Sequence, residues 1–400
     1  MKWCVGLLAA LPLAAWAQGP LLDDAVAAVR DNLARLPNYT CTVELDRSQR
    51  AKGNKEFHPV DRVRLEVALV KDQELYAWPG SHKFSDQPIY GMVGGGMIGT
   101  GQFGLFVETV FLSGVAKLRY AGREELDGRS VQRFRYQVPR ALSRYEIRLP
   151  GAQDTVGMEG SAWLDARTMD LVRLEVVVRE IPDDLPLESG WTVIDYARQK
   201  VGGGEFLLPE KAEQQFTIRG LEARNLVTFS TCKAYQTESA ISFDEKPETS
   251  RAQPAAAPII VPAGVQIQTK LMTELDSERV ARGDAFEARI TKAAKHKGEV
   301  VAPMGAIVRG RVTSILRSEG QTECIGVMLQ PERIEFGGRE GAFAADQADL
   351  PSPAPGHRML NLCPFVAEPG TAILVFSGRK FHATAGTALV WLTVTATEER

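Results

Sequence analysis

The stretch Val172–Arg179 has the sequence VRLEVVVR, and it decides the class of fold. Apolar side chains occupy every second position and charged ones lie between them: Val172, Leu174, Val176 and Val178 against Arg173, Glu175 and Arg179. A period of two is typical of a β-strand with one buried and one wet face. The alternation recurs, with decreasing regularity, in Val63–Val70, Arg133–Val138, Thr192–Arg198, Glu210–Ile218 and Asn225–Tyr235. We therefore expect a curved antiparallel sheet.

One amphipathic helix precedes these strands, over Leu21–Leu36. Its apolar residues recur at helical spacing: Leu22, Ala25, Val26, Val29, Leu33 and Leu36. Pro37 ends the pattern because proline cannot donate the next backbone hydrogen bond. A helix followed by a long meander predicts a β-rich α+β fold, in which the N-terminal helix lies on a curved antiparallel half-barrel.

A second, all-β module follows a linker. The linker, Asp244–Pro258, has the sequence DEKPETSRAQPAAAP, with three prolines and few large apolar side chains. Beyond it, strands are expected near Val265–Leu271, Ala285–Ile290, Glu299–Val301, Ala306–Val312, Gly326–Leu329, Gln330–Phe336, Ala372–Phe376 and Leu389–Ala396. We predict a small barrel or sandwich. The expected division is 1–17 signal peptide, 18–243 first domain, 244–258 linker and 259–400 second domain.

The amino terminus has the pattern of a secretory signal peptide. Lys2 precedes the apolar run Val5–Trp16, and Ala15 and Ala17 are the small residues before a cleavage site after Ala17. The alternative is a buried N-terminal helix. No later segment has 18 consecutive apolar residues, so we expect no membrane-spanning helix. The pattern favours a periplasmic or secreted protein.

Export would place the cysteines in an oxidising compartment. Without Cys4, an even number remains: Cys41, Cys232, Cys324 and Cys363. Three pairings are possible, and Cys41–Cys232 with Cys324–Cys363 keeps each bridge inside one domain. On the chain-entropy model these bridges would stabilise the fold by roughly 5 and 4 kcal/mol. A zinc site is the rival interpretation, but there is no C-x2-C pair.

Composition and missing motifs exclude several functions. The 400 residues hold 47 Lys and Arg against 50 Asp and Glu, so a net charge of −3 gives no basic face for nucleic acid. Five histidines leave little material for a metal site, and the sequence lacks both G-x-S-x-G and H-E-x-x-H. We predict a protein that is not an enzyme and needs no cofactor.

A literal G-x-G-x-x-G occurs at Gly99–Gly104, with Glu124 about 20 residues beyond it. In a dinucleotide site this motif follows a buried strand and opens a helix. The preceding Gly91–Ile98, GMVGGGMI, is too glycine-rich for a central strand, which argues against nucleotide binding. The plain interpretation is a glycine-rich loop. The functional one is a lid at a cavity mouth, with three aromatic residues turned inward: Phe103, Phe106 and Phe111.

The first domain resembles the LolA/LolB-like family of periplasmic lipoprotein carriers. The resemblance lies in the helix before the half-barrel and in Leu36–Cys41 (LPNYTC), Gly160–Asp165 (GSAWLD) and Leu171–Leu174 (LVRL). It covers about half of the chain. It implies that the helix plugs the concave face of the sheet, and that an apolar cavity between helix and sheet receives acyl chains.

The second module resembles the β modules of bacterial envelope and secretion-system proteins that begin with Pro-Ala-Gly. The matching stretches are Val261–Gly264 (VPAG), Leu275–Ser277 (LDS), Ala281–Asp284 (ARGD), Val301–Gly305 (VAPMG) and Val308–Val312 (VRGRV). This resemblance implies an assembly or interaction role, with other envelope proteins as partners.

These observations predict an exported, non-catalytic protein that binds a lipid or a lipoprotein acyl chain. The candidate cavity residues are Val29, Leu33, Trp78, Phe84, Phe103, Phe106, Phe111, Phe134, Trp163 and Trp191. Ordinary core packing is the competing interpretation of these aromatic residues. The alternative function is an envelope scaffold without a ligand. A large apolar cavity between helix and sheet would favour the carrier, and an interior packed solid by Val29, Leu33, Phe134 and Trp163 would favour the scaffold.

Overall fold

The computed structural model describes residues 18–70, 73–81, 84, 89–93, 99–149, 151–234, 258–319, 323–348 and 363–395. The predicted signal peptide lies outside these residues, and so does the linker apart from Pro258. None of the helices within the described ranges is long and apolar enough to cross a membrane.

The predicted N-terminal helix is present as α1, Gln18–Arg35. Ala25 and Val29 are buried on the face that meets the sheet, and the stripe of partly buried apolar residues beside them packs against the same core. The helix ends two residues before Pro37. Arg35 stands in its last turn, where a cation interacts favourably with the partial negative charge of the helix end.

Most of the first domain is one antiparallel sheet, curled into a half-barrel. Its ten strands within the described residues follow the order β3-β2-β1-β12-β11-β10-β9-β8-β5-β4. The strands are β1 Tyr39–Ala51, β2 His58–Val70, β3 Gln73–Ala77, β4 Arg119–Leu126, β5 Arg129–Val138, β8 Gly157–Asp165, β9 Leu171–Arg179, β10 Leu187–Val201, β11 Gly204–Ile218 and β12 Leu221–Ala234. A separate hairpin consists of β6 Glu146–Leu149 and β7 Ala152–Thr155.

The buried face of each strand is the one that the alternation predicts. In β9, Leu174, Val176 and Val178 are buried and belong to the core of the first domain. The charged residues between them face the opposite side, where Arg173 pairs with Asp195 of the neighbouring strand. The α+β, β-rich half-barrel expected from the sequence is therefore the observed fold.

The segment between β3 and β4 fills much of the concave side of the sheet. It contains two short helices, α2 Ile89–Val93 and α3 Leu105–Phe111. Its buried side chains join α1 and the sheet in one apolar core: Ile89, Met92, Val93, Phe103, Phe106, Val107, Val110 and Phe111. We call residues 78–118 the insert. The sequence predicted a glycine-rich loop here but neither helix, since both are too short to show a period.

The second domain is a small barrel of antiparallel strands. Its strands are β13 Gln266–Leu271, β14 Leu275–Asp276, β15 Ala285–Ile290, β16 Ala294–His296, β17 Glu299–Ala302, β18 Ile307–Glu319, β19 Glu323–Phe336, β20 Arg339–Ala342, β21 Ala345–Gln347, β22 Ala372–Ser377, β23 His382–Ala383 and β24 Ala388–Thr393. The ring runs β19-β18-β15-β13-β24-β21, and β22 pairs with β19. Gln347 closes it, because its backbone N–H donates to the carbonyl oxygen of Thr371 at 3.0 Å and its side-chain oxygen accepts from the N–H of Ile373 at 2.9 Å.

Two disulfides, Cys41–Cys232 and Cys324–Cys363, are present, which confirms the predicted pairing. The first joins the beginning of β1 to the end of β12, and the second joins β19 to the residues before β22. Each bridge therefore lies within one domain.

The two domains meet where β3 has left the sheet. β3 pairs with β2 only as far as Ala77 opposite Glu66, so the edge of β2 near Val63 is open to another partner. Arg282 of the second domain takes that place in a parallel bridge to Val63. Its N–H donates to the Arg62 carbonyl oxygen, and the N–H of Arg64 donates to the Arg282 carbonyl oxygen, both at 2.8 Å.

Candidate functional site

A cavity opens between α1 and the concave face of the first sheet. Its lining comes from α1, the insert and the strands: Ala28, Val29, Asn32, Leu33, Leu36, Tyr39, Phe103, Gly104, Val107, Met169, Asp170, Leu171, Tyr196, Leu207 and Pro209. Counted to its open mouth, the cavity contains about 460 Å³ of space free of atoms. Only about 30 Å³ admits the centre of a water molecule. Since one water needs roughly 10–15 Å³ by that measure, the cavity is narrow.

The exposure of the lining residues distinguishes a rim from a floor. Partly exposed residues form the rim, among them Ala28, Asn32, Leu33, Met169 and Leu207. The floor consists of buried residues: Tyr39, Phe103, Gly104, Leu171 and Tyr196. The cavity is therefore apolar along its walls and has two tyrosines at its inner end.

The candidate residues from the sequence occupy five different places. Val29, Leu33 and Phe103 line the cavity. Phe106, Phe111 and Phe134 are buried in the same core outside the lining. Trp78 lies where the domains meet, with its ring 5.9 Å from the guanidinium carbon of Arg282. Phe84 is half-buried and also outside the lining.

Trp163 and Trp191 lie on the opposite face of the sheet and do not line the cavity. The Trp163 indole donates a hydrogen bond to Glu124. Arg133 is the residue opposite Trp163 on the neighbouring strand β5, and its guanidinium lies over the indole ring. Trp163 is itself buried, but the residues on either side of it, Ala162 and Leu164, are the ones that belong to the core of the first domain. Trp191 is half-buried, and its neighbour Thr192 is buried. Because side chains alternate between faces, a shift of one position moves a residue from the core side to the outer side.

The G-x-G-x-x-G loop binds a side chain of the same protein, the carboxyl group of Glu74 on β3. This carboxylate accepts hydrogen bonds from the backbone N–H groups of Gly101 and Phe103 at 2.9 Å each. It also accepts one from the hydroxyl of Tyr76 at 2.7 Å. Gly101 has φ +98°, and a Cβ there would meet the ring of Phe106. The glycines therefore shape a carboxylate-binding turn that ties the insert to the sheet.

Burial raises the pKa of Glu74 above its ordinary value, although the N–H donors of the loop and the Tyr76 hydroxyl oppose this. Burial and the nearby charge of Glu74 together also raise the pKa of Tyr39. The same causes, with Tyr39 as a further neighbour, raise the pKa of Tyr196. Both cavity tyrosines are therefore neutral hydrogen-bonding groups at physiological pH.

Several buried polar atoms on the concave face have no hydrogen-bond partner within the part of the chain that the structure describes. They are the hydroxyls of Tyr196 and Thr192 and the side-chain nitrogen of Gln214. Thr192 and Gln214 are cross-strand neighbours. The side-chain oxygen of Gln214 accepts from the N–H of Gly99 at 3.3 Å. An unmet buried polar group costs about 1–3 kcal/mol, so these atoms are unusual in a packed core.

A buried ion pair continues the same row of polar residues toward the second domain. Arg47 donates two hydrogen bonds of 2.6 Å to Asp61 and a longer one to the carbonyl oxygen of Val93, the last residue of α2. Arg282 of the second domain donates to the same carbonyl oxygen. Burial lowers the pKa of Arg282 below its ordinary value. The second domain therefore contacts the insert directly.

No sequence motif singles out Glu74, Tyr196 or Arg47. The available signal was the register, since Glu74 and Tyr76 alternate with Leu75 and so share one face of β3. That face is the concave one, a fact that only the pairing with β2 establishes. Among the described residues, no group of three or more His, Cys, Asp or Glu side chains could hold a metal ion.

Comparisons with known proteins give similarity to solved structures only. No family model matches the chain, and no curated protein sequence matches it. A domain from Vibrio parahaemolyticus, provisionally described as an outer membrane lipoprotein-sorting protein, aligns at 12% identity and a TM-score of 0.31, over 54% of this chain and 94% of that one. A DUF1329 family protein from Desulfovibrio piger aligns at 10% identity and a TM-score of 0.30, over 56% and 95%. A LolA superfamily protein from Nitrosomonas europaea aligns at 9% identity and a TM-score of 0.28, over 54% and 94%.

Proposed function

We propose that the first domain binds the acyl part of a lipid or lipoprotein between α1 and its sheet. The observation that carries this proposal is the open cavity with apolar walls beneath α1. Such concave, mostly apolar sites with few polar groups are typical of small-molecule binding. Each buried methylene contributes about 0.8 kcal/mol, so ten of them supply roughly 8 kcal/mol toward binding.

An acyl chain needs more room than the cavity offers, so binding requires α1 or the insert to move. Phe103 and Val107 of the insert form one wall, and α1 forms the other. The insert is tied to the sheet at Glu74 and to the second domain at Val93. When the insert moves away from α1, these few hydrogen bonds and the apolar contacts of Phe103 are broken, and contacts with the ligand replace them.

We propose that the protein functions outside the cytoplasm. Two disulfides are typical of proteins that fold in an oxidising compartment. Together with the signal-peptide pattern over residues 1–17, they favour the periplasm or secretion. We propose a non-catalytic role, with no cofactor and no nucleic acid as partner. Envelope proteins that contact the second domain are the proposed protein partners.

The narrowness of the cavity favours a second candidate, an envelope scaffold without a ligand. Most of the concave face is occupied by the insert, and the remaining space is far smaller than an acyl chain. In this alternative the insert is a permanent part of the core. The second domain, attached through Arg282 and Asp284, would then present a fixed surface to other proteins.

The test is a lipid-binding assay with a matched pair of variants. The full chain, purified from the periplasm, is extracted with organic solvent for mass spectrometry, and it is titrated with a fluorescent fatty acid and a fluorescent acylglycerol. Ala28 lines the cavity and the adjacent Ala27 is exposed, so A28W should fill the cavity and A27W should not. We expect binding of at least one probe, weakened tenfold or more by A28W alone. No copurified lipid and no probe uptake by the wild type would favour the scaffold.

A further inference from the structure

The floor of the cavity contains a buried hydroxyl without a partner. Tyr196 lines the cavity, is only 8% exposed, and its hydroxyl has no hydrogen-bond partner in the described part of the chain. A phenol hydroxyl can both donate and accept a hydrogen bond. Since an unpaired buried hydroxyl is energetically unfavourable, a ligand atom that paired with it would gain affinity.

The charges around the cavity decide which kind of atom that is. None of the lining residues is Lys, Arg or His. The charged lining residue is Asp170, and Arg198 already binds it through two hydrogen bonds of 2.8 and 2.7 Å. An anionic headgroup brought to this floor would leave water without meeting a cation among the lining residues, which is strongly unfavourable in a buried site.

The walls indicate where the hydrocarbon goes. Between the floor and the mouth, the cavity is lined by apolar side chains of α1 and β11, among them Val29, Leu33, Leu36 and Leu207. A ligand with its polar group at Tyr196 would therefore lie with its chain along α1. Two further unpaired groups, on Thr192 and Gln214, lie on the same face of the sheet and show that this interior tolerates polar atoms.

We propose that the cavity selects an amphiphile with an uncharged hydrogen-bonding group, such as an acyl ester or a glycerol hydroxyl, that binds at Tyr196. This inference rests on the lipid-binding function proposed above and makes it more specific. The Tyr196 hydroxyl donates to the ester carbonyl oxygen, and the site excludes free carboxylates and phosphates at its floor. The selectivity for an uncharged ligand follows from the burial of this floor and from the absence of a cation among the lining residues.

The test compares two competitors of equal chain length, monoolein and oleate, for displacement of a fluorescent acylglycerol from the full chain. The assay is run at pH 9, where oleate in solution is ionised. We expect monoolein to displace the probe at a concentration at least tenfold lower than oleate. The Y196F variant should lose two- to tenfold of its affinity for monoolein and keep its affinity for oleate.

The control variant is Y120F, since the Tyr120 hydroxyl donates to Gln132 away from the cavity. We expect Y120F to bind monoolein as the wild type does. Without lipid, Y196F should unfold at the same urea concentration as the wild type or a higher one, since its missing hydroxyl had no partner; a purely structural role would lower that concentration. Equal displacement by oleate, or unchanged monoolein affinity in Y196F, would overturn the inference and leave lipid binding intact. Failure of every lipid probe to bind would overturn both.

Discussion

The two domains differ in whether a buried polar atom without a hydrogen-bond partner borders the cavity beneath α1. In the second domain, the buried polar side chains are Thr269, Thr371 and Thr393, and each has hydrogen-bond partners. Trp391, which is fully buried, donates its indole N–H to Thr269 at 2.9 Å. The described part of this domain also has buried side-chain atoms without a hydrogen-bond partner, on Arg282, Arg309 and Thr313, but none of these three residues lines the cavity beneath α1.

The first domain keeps polar groups inside its sheet that its own residues do not satisfy. Tyr196, Thr192 and Gln214 carry unpaired atoms, and Glu74 brings a carboxylate to the same side. It also contains the cavity beneath α1. Real proteins depart from complete packing and polar satisfaction mainly at functional sites. The comparison therefore supports the proposal that a ligand binds in the first domain, where Tyr196 lines the cavity and its hydroxyl has no partner among the described residues.

The largest expected effect tests whether each domain depends on its own disulfide. Replacing Cys41 and Cys232 with serine should destabilise the first domain by roughly 5 kcal/mol, and replacing Cys324 and Cys363 should destabilise the second by about 4 kcal/mol. The reason is the loop that each bridge closes in the unfolded chain. Hydrogen exchange, measured separately for the two domains during urea unfolding, checks this. Loss of stability in the other domain would contradict their independence.

A pair of phenylalanine substitutions compares the two interiors directly. Phe286 stacks on Trp391 in the second domain, and F286A should cost about 3–5 kcal/mol because it leaves an empty cavity. Phe103 already lines the cavity beneath α1, so F103A should lower the free energy of unfolding by less than F286A does, and it should enlarge the ligand site. Urea unfolding and titration with the fluorescent acylglycerol measure both effects. Tighter lipid binding in F103A alone would support the difference, and equal costs without a change in binding would refute it.

The contact between the domains is tested by two glycine variants. Gly283 and Gly264 have φ +98° and +82°, so alanine introduces backbone strain of about 1–2 kcal/mol at either position. At Gly283 a Cβ would also lie 2.7 Å from the ring of Trp78, whereas at Gly264 it would meet nothing within 4 Å. We expect G283A, and not G264A, to speed hydrogen exchange in Ile89–Val93. Equal exchange in the two variants would show that the second domain does not hold the insert.

The smallest effect is a pH dependence of the first domain. Because the pKa of Glu74 is raised in the folded protein, the native state holds a proton that the unfolded chain has released. Its contribution to stability is therefore present below its ordinary value of 4.5 and is lost as pH rises through the folded pKa. The free energy of unfolding falls by at most about 1.4 kcal/mol per pH unit in this range. Urea unfolding of wild type and E74Q from pH 4.5 to 9 should show this loss in the wild type alone.

Much of the fold was predictable because its signals are local. The alternation in Val172–Arg179 identifies a strand and its buried face, and the spacing in Leu21–Leu36 identifies the helix. The insert was not predictable, since α2 and α3 have five and seven residues and show no resolved period. Their positions depend on burial against the sheet.

The candidate site was predicted only in part. Val29, Leu33 and Phe103 do line the cavity, whereas Trp163 and Trp191 face away from it. Aromatic residues in alternating strands can belong to either face, and choosing the face requires the register. The polar groups at the floor gave no sequence signal, because their significance comes from the lack of a partner in three dimensions.

The sequence by itself determined the helix, the alternation of the most regular strands and, given export, an even number of cysteines for disulfides, because each depends on periodicity or on counting. Which cysteines pair was one of three possibilities. Tertiary structure alone decided that the glycine loop binds Glu74 and that Tyr196 lies unpaired beneath α1. It also decided that Arg282 reaches α2. These contacts join residues that are far apart in the chain. Their energies depend on burial and distance, which no local pattern encodes.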